Sequence, residues 1–478
     1  MRLIIIRNTA NNIKNIRKEF GRMTKISELI EYVPTKNVET VSYWSLMIWI
    51  SSPLYIIIHS LLLDSHEQVD FSFNQLLLRM QWYTLLQQVG FVGLCVGILM
   101  FVKSFLLKNK NKIRFQEYII DHLFPILLFL MLVWSMLSWY NSDNTILSFH
   151  GHDYRKEGLA SYFAYAGIFS CGYIVRNNRY LQRILTFFTV TATFLSLLVL
   201  IDNDTINRLL TLHRNSAVFN NTNHFAYYLC LSAMCVVALI LIEKRGKLAL
   251  SLRLFCLAIL TAALVKNNSF GPYIAMVMGF VFLFIMTFLF HKDSIKRLML
   301  AAFIFLLVTV IMNIQTHFLM TEIQKLSGGV DNIVKRTENA GRAGSGRWRL
   351  WVNGVRFIAE KPIFGYGPDN LGARYLEAKI TIDRPHNEII QFAASLGIPA
   401  ALLYIFAIGV HFRSLFIHRK NLTTIIIGLF AVVFAYLVSS MFGNTMYYTS
   451  PFFFMILGLS GGMVKSHLSC SLQKVYPC

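Results

Sequence analysis

The residues that could do chemistry fall into two groups. Gly344-Ser345-Gly346-Arg347-Trp348 is followed by Trp351, then Lys361-Pro362-Ile363-Phe364-Gly365-Tyr366-Gly367, then His386-Asn387-Glu388, and finally Leu396-Gly397-Ile398. Upstream, Arg214 precedes Phe219-Asn220-Asn221-Thr222-Asn223-His224-Phe225-Ala226. Arginine carries a planar fork that grips anionic oxygens two at a time, and histidine, with an ordinary pKa of about 6.5, is mostly neutral near pH 7 and able to take a proton. Anion binding and proton transfer are the chemistry such a set offers. Taken singly, Arg347 and Arg349 would anchor a helix to lipid phosphate, and His386 would cap a helix after Pro385. The order of the whole set favours catalysis.

Other motifs carry less. Gly365-Tyr366-Gly367-Pro368-Asp369 is like a potassium-channel filter, but Ile363-Phe364 stand where a filter needs Thr-Val, and Pro368 would interrupt the run. Asp202-Asn203-Asp204 has the form of a nucleotide-sugar metal motif yet falls on an outer loop, where a solvated turn is the better reading. Asn220-Asn221-Thr222 and Asn267-Asn268-Ser269 are glycosylation sequons, a pattern that chance supplies often. His59 stands alone in an apolar run and reads as a packing residue.

The elements that must position these residues are membrane helices. Of 478 residues, 55% are hydrophobic and 14% charged, too apolar for a soluble domain of any architecture. The formal charge of +21 comes from short Lys/Arg clusters between apolar runs, so it argues for topology signals and against nucleic acid. Five of seven cysteines lie inside apolar segments without a CxxC pair, which indicates neither a disulfide framework nor a metal site. The run Leu3 to Ile6 is too short for a signal peptide, so no processing is expected. Residues 13–30 have helical spacing suited to an anionic inner leaflet or, equally, to a solvated tail.

Apolar runs of about 20 residues match the hydrocarbon thickness of a bilayer. They predict an all-α polytopic protein with about twelve spans: 41–63, 83–107, 119–140, 158–175, 181–201, 223–242, 248–266, 270–290, 296–313, 389–410, 422–442 and 449–465. Lys103/Lys108/Lys110/Lys112/Arg114, Arg176/Arg179/Arg183, Lys244/Arg245/Lys247/Arg253, Lys292/Lys296/Arg297 and Arg413/Arg419/Lys420 all then fall on one side. By the positive-inside rule that side is the cytoplasm, with both termini in it. The expected organisation is a basic cytoplasmic segment over 1–40, nine helices over 41–313, a large external loop over 314–388, three helices over 389–465 and a tail over 466–478. Within the loop, 346–359 should form an amphipathic helix at the interface, ended by Pro362 and followed by a turn at Gly365, Gly367 and Pro368. The spans carry almost no central charge and no internal repeat, which argues against a transporter.

An Arg-Trp pair, a Pro-x-x-Gly-x-Gly turn, a His-Asn pair at a helix mouth and a following Leu-Gly, in this order, resemble the O-antigen ligase and polymerase superfamily over residues 210–410. The Arg214 loop resembles that family's Asn-containing loop. The resemblance implies a GT-C-like glycosyltransferase architecture in the bacterial inner membrane. It implies transfer of a glycan from an undecaprenyl-pyrophosphate donor to a hydroxyl of a glycan, lipid or protein acceptor at the outer face, without metal, nucleotide or other cofactor. On it, His386 is the general base, Arg347 and Arg214 hold the departing pyrophosphate, Asn387 orients the imidazole or the sugar, and Asn223 contributes to substrate binding. The family's Ser-Arg-Gly reads Ser269-Phe270-Gly271 here, leaving Lys266 or Arg342 as replacement cations. The alternative from another class is a flippase for lipid-linked saccharides.

Overall fold

A computed structural model describes residues 26–64, 71–110, 114–243, 246–335 and 343–475. Most of the expected helix over 13–30, and Arg342, lie outside these residues. Among the described residues the regular structure is helical, apart from one isolated bridge between His213 and Ala217. Eight helices are long and apolar enough to cross a membrane, and nine if the bent pair Thr35–Ile50 and Ser52–Leu62 is one span. Leu159–Ile174 and Thr424–Ser440 are shorter apolar helices.

Several expected spans change shape for identifiable reasons. The run 41–63 is bent by 50° at its middle, where Pro53 removes an amide donor and crowds the preceding turn. The expected span 83–107 is part of a 40-residue helix, Phe71–Lys110, that absorbs much of the expected loop 64–82. No glycine or proline interrupts residues 71–89, so nothing stops the helix at the membrane surface. The expected span 389–410 is two helices, Glu388–Leu396 and Ile398–His418, separated at Gly397 with φ +92°. The last helix, Ser450–Val475, runs well into the expected tail.

Burial shows which helices meet lipid. Phe129, Phe284, Phe303 and Phe406 are exposed on the perimeter. The Thr222–Leu241 helix is the opposite case, with every residue from His224 to Leu241 buried. Small residues allow the tightest approaches. Gly90, Gly93 and Gly97 of Phe71–Lys110 face Ala164, Gly167 and Ser170 of Leu159–Ile174. On its other side, Gly172 and Tyr173 meet Gly458 and Gly462. A sixteen-residue helix is thus clamped between two long ones, which holds the loop before it in place.

Among the described residues, 314–388 contains three helices after the one that ends at Thr316: Phe318–Val334, Arg347–Glu360 and Leu371–Glu377. The expected amphipathic helix over 346–359 is therefore present, with two distinct apolar faces. Leu350, Gly354 and Phe357 pack inward on Tyr375 and Ile390, while Trp348, Val352 and Val355 are exposed one and two turns apart. The second stripe suits an interfacial position, with its aromatic ring at headgroup level.

A Cβ at Gly93 would run into the backbone of Gly167, and overpacking of this kind costs about 1–3 kcal/mol. Gly93→Leu is expected to lower the thermal midpoint of the detergent-solubilised protein, followed by loss of the monodisperse chromatographic peak on heating. An unchanged midpoint would show that the seam is not needed.

Candidate active site

The glycine-rich motif is a backbone joint. Tyr366 N donates to Ala394 O at 3.0 Å, Gly367 N to Ser395 O at 2.8 Å, and Ile398 N to Pro362 O at 2.8 Å. Gly365 (φ +65°) lies against the Ser395 carbonyl, and a Cβ on Gly397 would strike that of Ile363. Side chains cannot be accommodated at either place. The carbonyls of Ile363 and Phe364 accept from Trp134 Nε1 (3.1 Å) and Ser138 Oγ (2.6 Å) on the Leu123–Tyr140 helix. These carbonyls are occupied by the protein, which removes the ion-filter reading.

A buried run of charges extends from that joint. Asp369, with φ +54°, pairs with Arg384, the side chains 3% and 1% exposed. The second Asp369 oxygen accepts from the backbone N–H of His152 (2.7 Å) and Glu157 (3.3 Å). Arg384 also donates to Thr445 O at 3.4 Å. Its neighbour Asp383 is gripped bidentately by Arg155, Nε at 3.0 Å and Nη2 at 2.9 Å. Burial would raise Asp383, but Arg384 and Arg155 outweigh it and hold the carboxyl down at about 2. Three loops, 141–158, 365–369 and 383–387, are locked together by these pairs.

His386 stands at the end of this run. Its backbone is left-handed (φ +53°), an uncommon conformation for a side chain with a Cβ, maintained where surroundings dictate it. The imidazole is pushed down to about 3, first by burial and then by Arg347, Arg155 and Arg384, with Asp383 opposing. Arg347 opens the Arg347–Glu360 helix and reaches across to Phe442 O (Nε, 3.2 Å) and back to Gly344 O (Nη1, 3.3 Å). His224, in the first turn of the fully buried helix, lies in the same field, acted on by Arg155, His386 and Arg384.

The other expected site residues have different surroundings. Asn387 caps the Glu388–Leu396 helix, its Oδ1 accepting from Ile390 N (3.1 Å) and its Nδ2 donating to Met441 O (3.2 Å). Through these two bonds it fixes the helix mouth. Arg214 is 72% exposed and paired with Asp202 at 3.0 Å. Lys266 pairs with the same carboxylate at 3.1 Å and donates to Val199 O at 2.8 Å. Asp202 is therefore the counter-ion of both cations, on a loop that is otherwise solvated, with Asn203 and Asp204 exposed. Neither Arg214 nor Lys266 is among the main charges acting on His386. Asn223 is half-buried in the first turn after the Asn221 cap. Phe270, at the family's arginine position, packs edge-on against Phe318.

Arg155, Asp383, Arg384 and Asp369 were absent from the expected set. A signal exists: His152-Asp153-Tyr154-Arg155-Lys156-Glu157 puts two cations on the side opposite the Lys/Arg-rich loops, where a specific partner is needed to explain them. Among the described residues no group of His, Cys, Asp and Glu could hold a metal.

Residues 255–405 fit the family model described as O-antigen ligase. No curated protein matches the chain.

Two outcomes follow from the geometry. Arg384→Met leaves Asp369 buried without its cation, and breaking such a pair costs about 3–5 kcal/mol; a large drop in thermal midpoint is expected, with Arg384→Lys intermediate. Unfolded histidine takes its proton near the usual pKa of about 6.5, whereas His386 resists until about 3. The folded state binds fewer protons across that window, so it loses stability as pH falls. His386→Gln should flatten the pH dependence of the midpoint between those limits, and an unaltered slope would contradict the burial of the imidazole.

Proposed function

As a member of the O-antigen ligase and polymerase superfamily, this chain, we propose, transfers a glycan from an undecaprenyl-pyrophosphate carrier to an acceptor hydroxyl at the outer face of the bacterial cytoplasmic membrane. The observation that carries this reading is His386 on a locked external turn in the field of Arg347, Arg155 and Arg384. One proton acceptor beside several guanidinium groups suits a reaction in which a hydroxyl loses a proton while a polyanion departs.

In this mechanism the acceptor O–H gives its proton to the imidazole as its oxygen bonds to the anomeric carbon. The bond from that carbon to the pyrophosphate oxygen breaks, and the electron pair leaves with the carrier. Arg347 and Arg155 face the departing oxygens. Arg155 has a buried Nη1 without a hydrogen-bond partner, so it fills the role for which Lys266 and Arg342 were the expected candidates. Asn387 acts by position. Arg214, Asn223, Lys266 and Arg342 are assigned to more distant contacts with the substrate at the outer surface. No metal or nucleotide is required by these steps.

The resting imidazole is a weak base because burial, and after it the guanidinium charges, oppose its protonation. A bound pyrophosphate cancels those charges and raises its basicity. Proton transfer is thereby tied to donor occupancy, which suppresses reaction without a donor. Growth of a polymer and ligation to a lipid, wall polymer or protein share this donor chemistry.

The topology that accompanies this reading has twelve spans. They are the eight long helices, the bent pair, Leu159–Ile174, Thr424–Ser440 and Ser450–Val475, with both termini cytoplasmic by the positive-inside rule. No observation favours the flippase.

Purified full-length protein given a polyprenyl-pyrophosphate oligosaccharide and an acceptor, without nucleotide or metal, is expected to form the transferred glycan. His386→Ala should lower the rate about 10²- to 10⁴-fold, and Arg347→Lys less than Arg347→Ala. Full activity in His386→Ala would remove the general base. The acid limb of kcat, which reports the donor complex, should lie at higher pH than that of kcat/KM. Coincident limbs would contradict donor-dependent basicity.

A further inference from the structure

The turn that follows the Thr424–Ser440 helix holds three of the residues around His386, and it has no part in the reaction described above. The last carbonyls of a helix lack partners in a following turn and carry the negative end of its dipole, so they attract donors and cations. Here the amides of Met441, Phe442 and Gly443 fold back onto the carbonyls of Val438, Ser439 and Ser440 at 3.0–3.3 Å. The carbonyls beyond them accept from elsewhere. Met441 O accepts from Asn387 Nδ2 (3.2 Å), Phe442 O from Arg347 Nε (3.2 Å) and Thr445 O from Arg384 Nη1 (3.4 Å). One stretch of backbone thus sets the position of three side chains at the site.

Phe442 O has a second donor. The hydroxyl of Tyr227, on the buried Thr222–Leu241 helix, donates to it at 3.1 Å. Two features show that this contact is built into the packing. A Cβ at Gly443 would lie 2.1 Å from the Tyr227 hydroxyl, so a glycine is needed there for the ring to reach the carbonyl. The Phe442 side chain is fixed as well. Its Cβ lies 3.1 Å from the place a Cβ on Gly271 would take, and its ring centre lies 6.3 Å from that of Trp351.

The consequence falls on Arg347. A guanidinium offers several N–H groups in one rigid plane. Nε and Nη1 of Arg347 are tied to Phe442 O and Gly344 O, which leaves Nη2 and the rest of that edge for an anion. A planar fork grips oxygens only in the direction in which it is held. Turning the Phe442 peptide plane would swing the fork away, and the bond from Tyr227 resists such a turn. We propose that Tyr227 is a positioning residue: by pinning the Phe442 carbonyl in the space left at Gly443, it aims Arg347 at the pyrophosphate of the donor. The identity of that anion rests on the function proposed above.

The test is binding of undecaprenyl pyrophosphate to the full-length protein in phosphatidylcholine nanodiscs, with undecaprenol, which lacks the charge, as the control lipid. Arg347→Ala is expected to weaken the pyrophosphate lipid at least about tenfold, and Tyr227→Phe about threefold to tenfold, the scale of one hydrogen bond. Neither should change undecaprenol. In the Arg347→Ala background Tyr227→Phe should add nothing, because a positioning residue has no effect without the group it positions. In glycan transfer, Tyr227→Phe should raise the donor KM and leave the acceptor KM as it is. Unaltered binding in Tyr227→Phe, an equal loss with and without the Arg347 side chain, weakening of both lipids or a raised acceptor KM would overturn the assignment. If Tyr227→Phe does not fold, Gly443→Ala, whose Cβ displaces the hydroxyl, is read by the same outcomes. Arg347→Ala that binds the carrier as the wild type does would refute the proposed role of Arg347 and with it that of Tyr227. An effect at Arg347 with none at Tyr227 refutes the role of Tyr227 alone.

Discussion

The loops around His386 depend on a run of alternating, paired charges. Asp369, Arg384, Asp383 and Arg155 come from three loops, and each charge has an opposite one beside it. Such a chain gains little net stability, since desolvation of four ions consumes most of the attraction. Its value is positional. A bidentate carboxylate fixes a guanidinium in direction as well as distance, and the two arginines so fixed are those that bear on His386. The left-handed backbone at His386 is held by the same contacts, because its neighbours Arg384 and Asn387 are both committed to fixed partners.

Beneath that lattice lies a joint made only of backbone. The turn around Gly365 and Gly367 and the break at Gly397 fit one another so closely that no side chain could replace these hydrogens. The motif that looks chemical in sequence is thus a requirement of packing. It anchors the external segment to Leu123–Tyr140 through Trp134 and Ser138, while Leu159–Ile174 is fixed by a glycine seam between two longer helices. The membrane helices form a frame, and the loops are fastened to its rim at fixed points.

The positive field at the site is assembled from guanidinium groups, two of which have counter-ions within the fold: Arg384 with buried Asp369, and Arg155 with half-buried Asp383. Arg347 has backbone carbonyls as its partners, so its charge is not neutralised within the fold. Arg214 and Lys266 share Asp202, which spends part of their attraction within the fold.

The sequence alone determined what is local. Apolar runs of membrane length, Lys/Arg bias, the helix over Arg347–Glu360 and the Pro-Gly turn are all written within a few residues of where they act. His386, Asn387 and Arg347 were legible from residue type and order. The tertiary structure decided which charges meet. Asp383 and Arg155 are 228 positions apart, and Asp369 reaches His152 across 217; no periodicity or spacing encodes such a pairing. Arg214 is tied to Asp202 twelve positions away, whereas Arg155 is tied to Asp383 from a distant segment; a long side chain is held where its counter-ion and backbone carry it, and only the fold brings the second kind of partner.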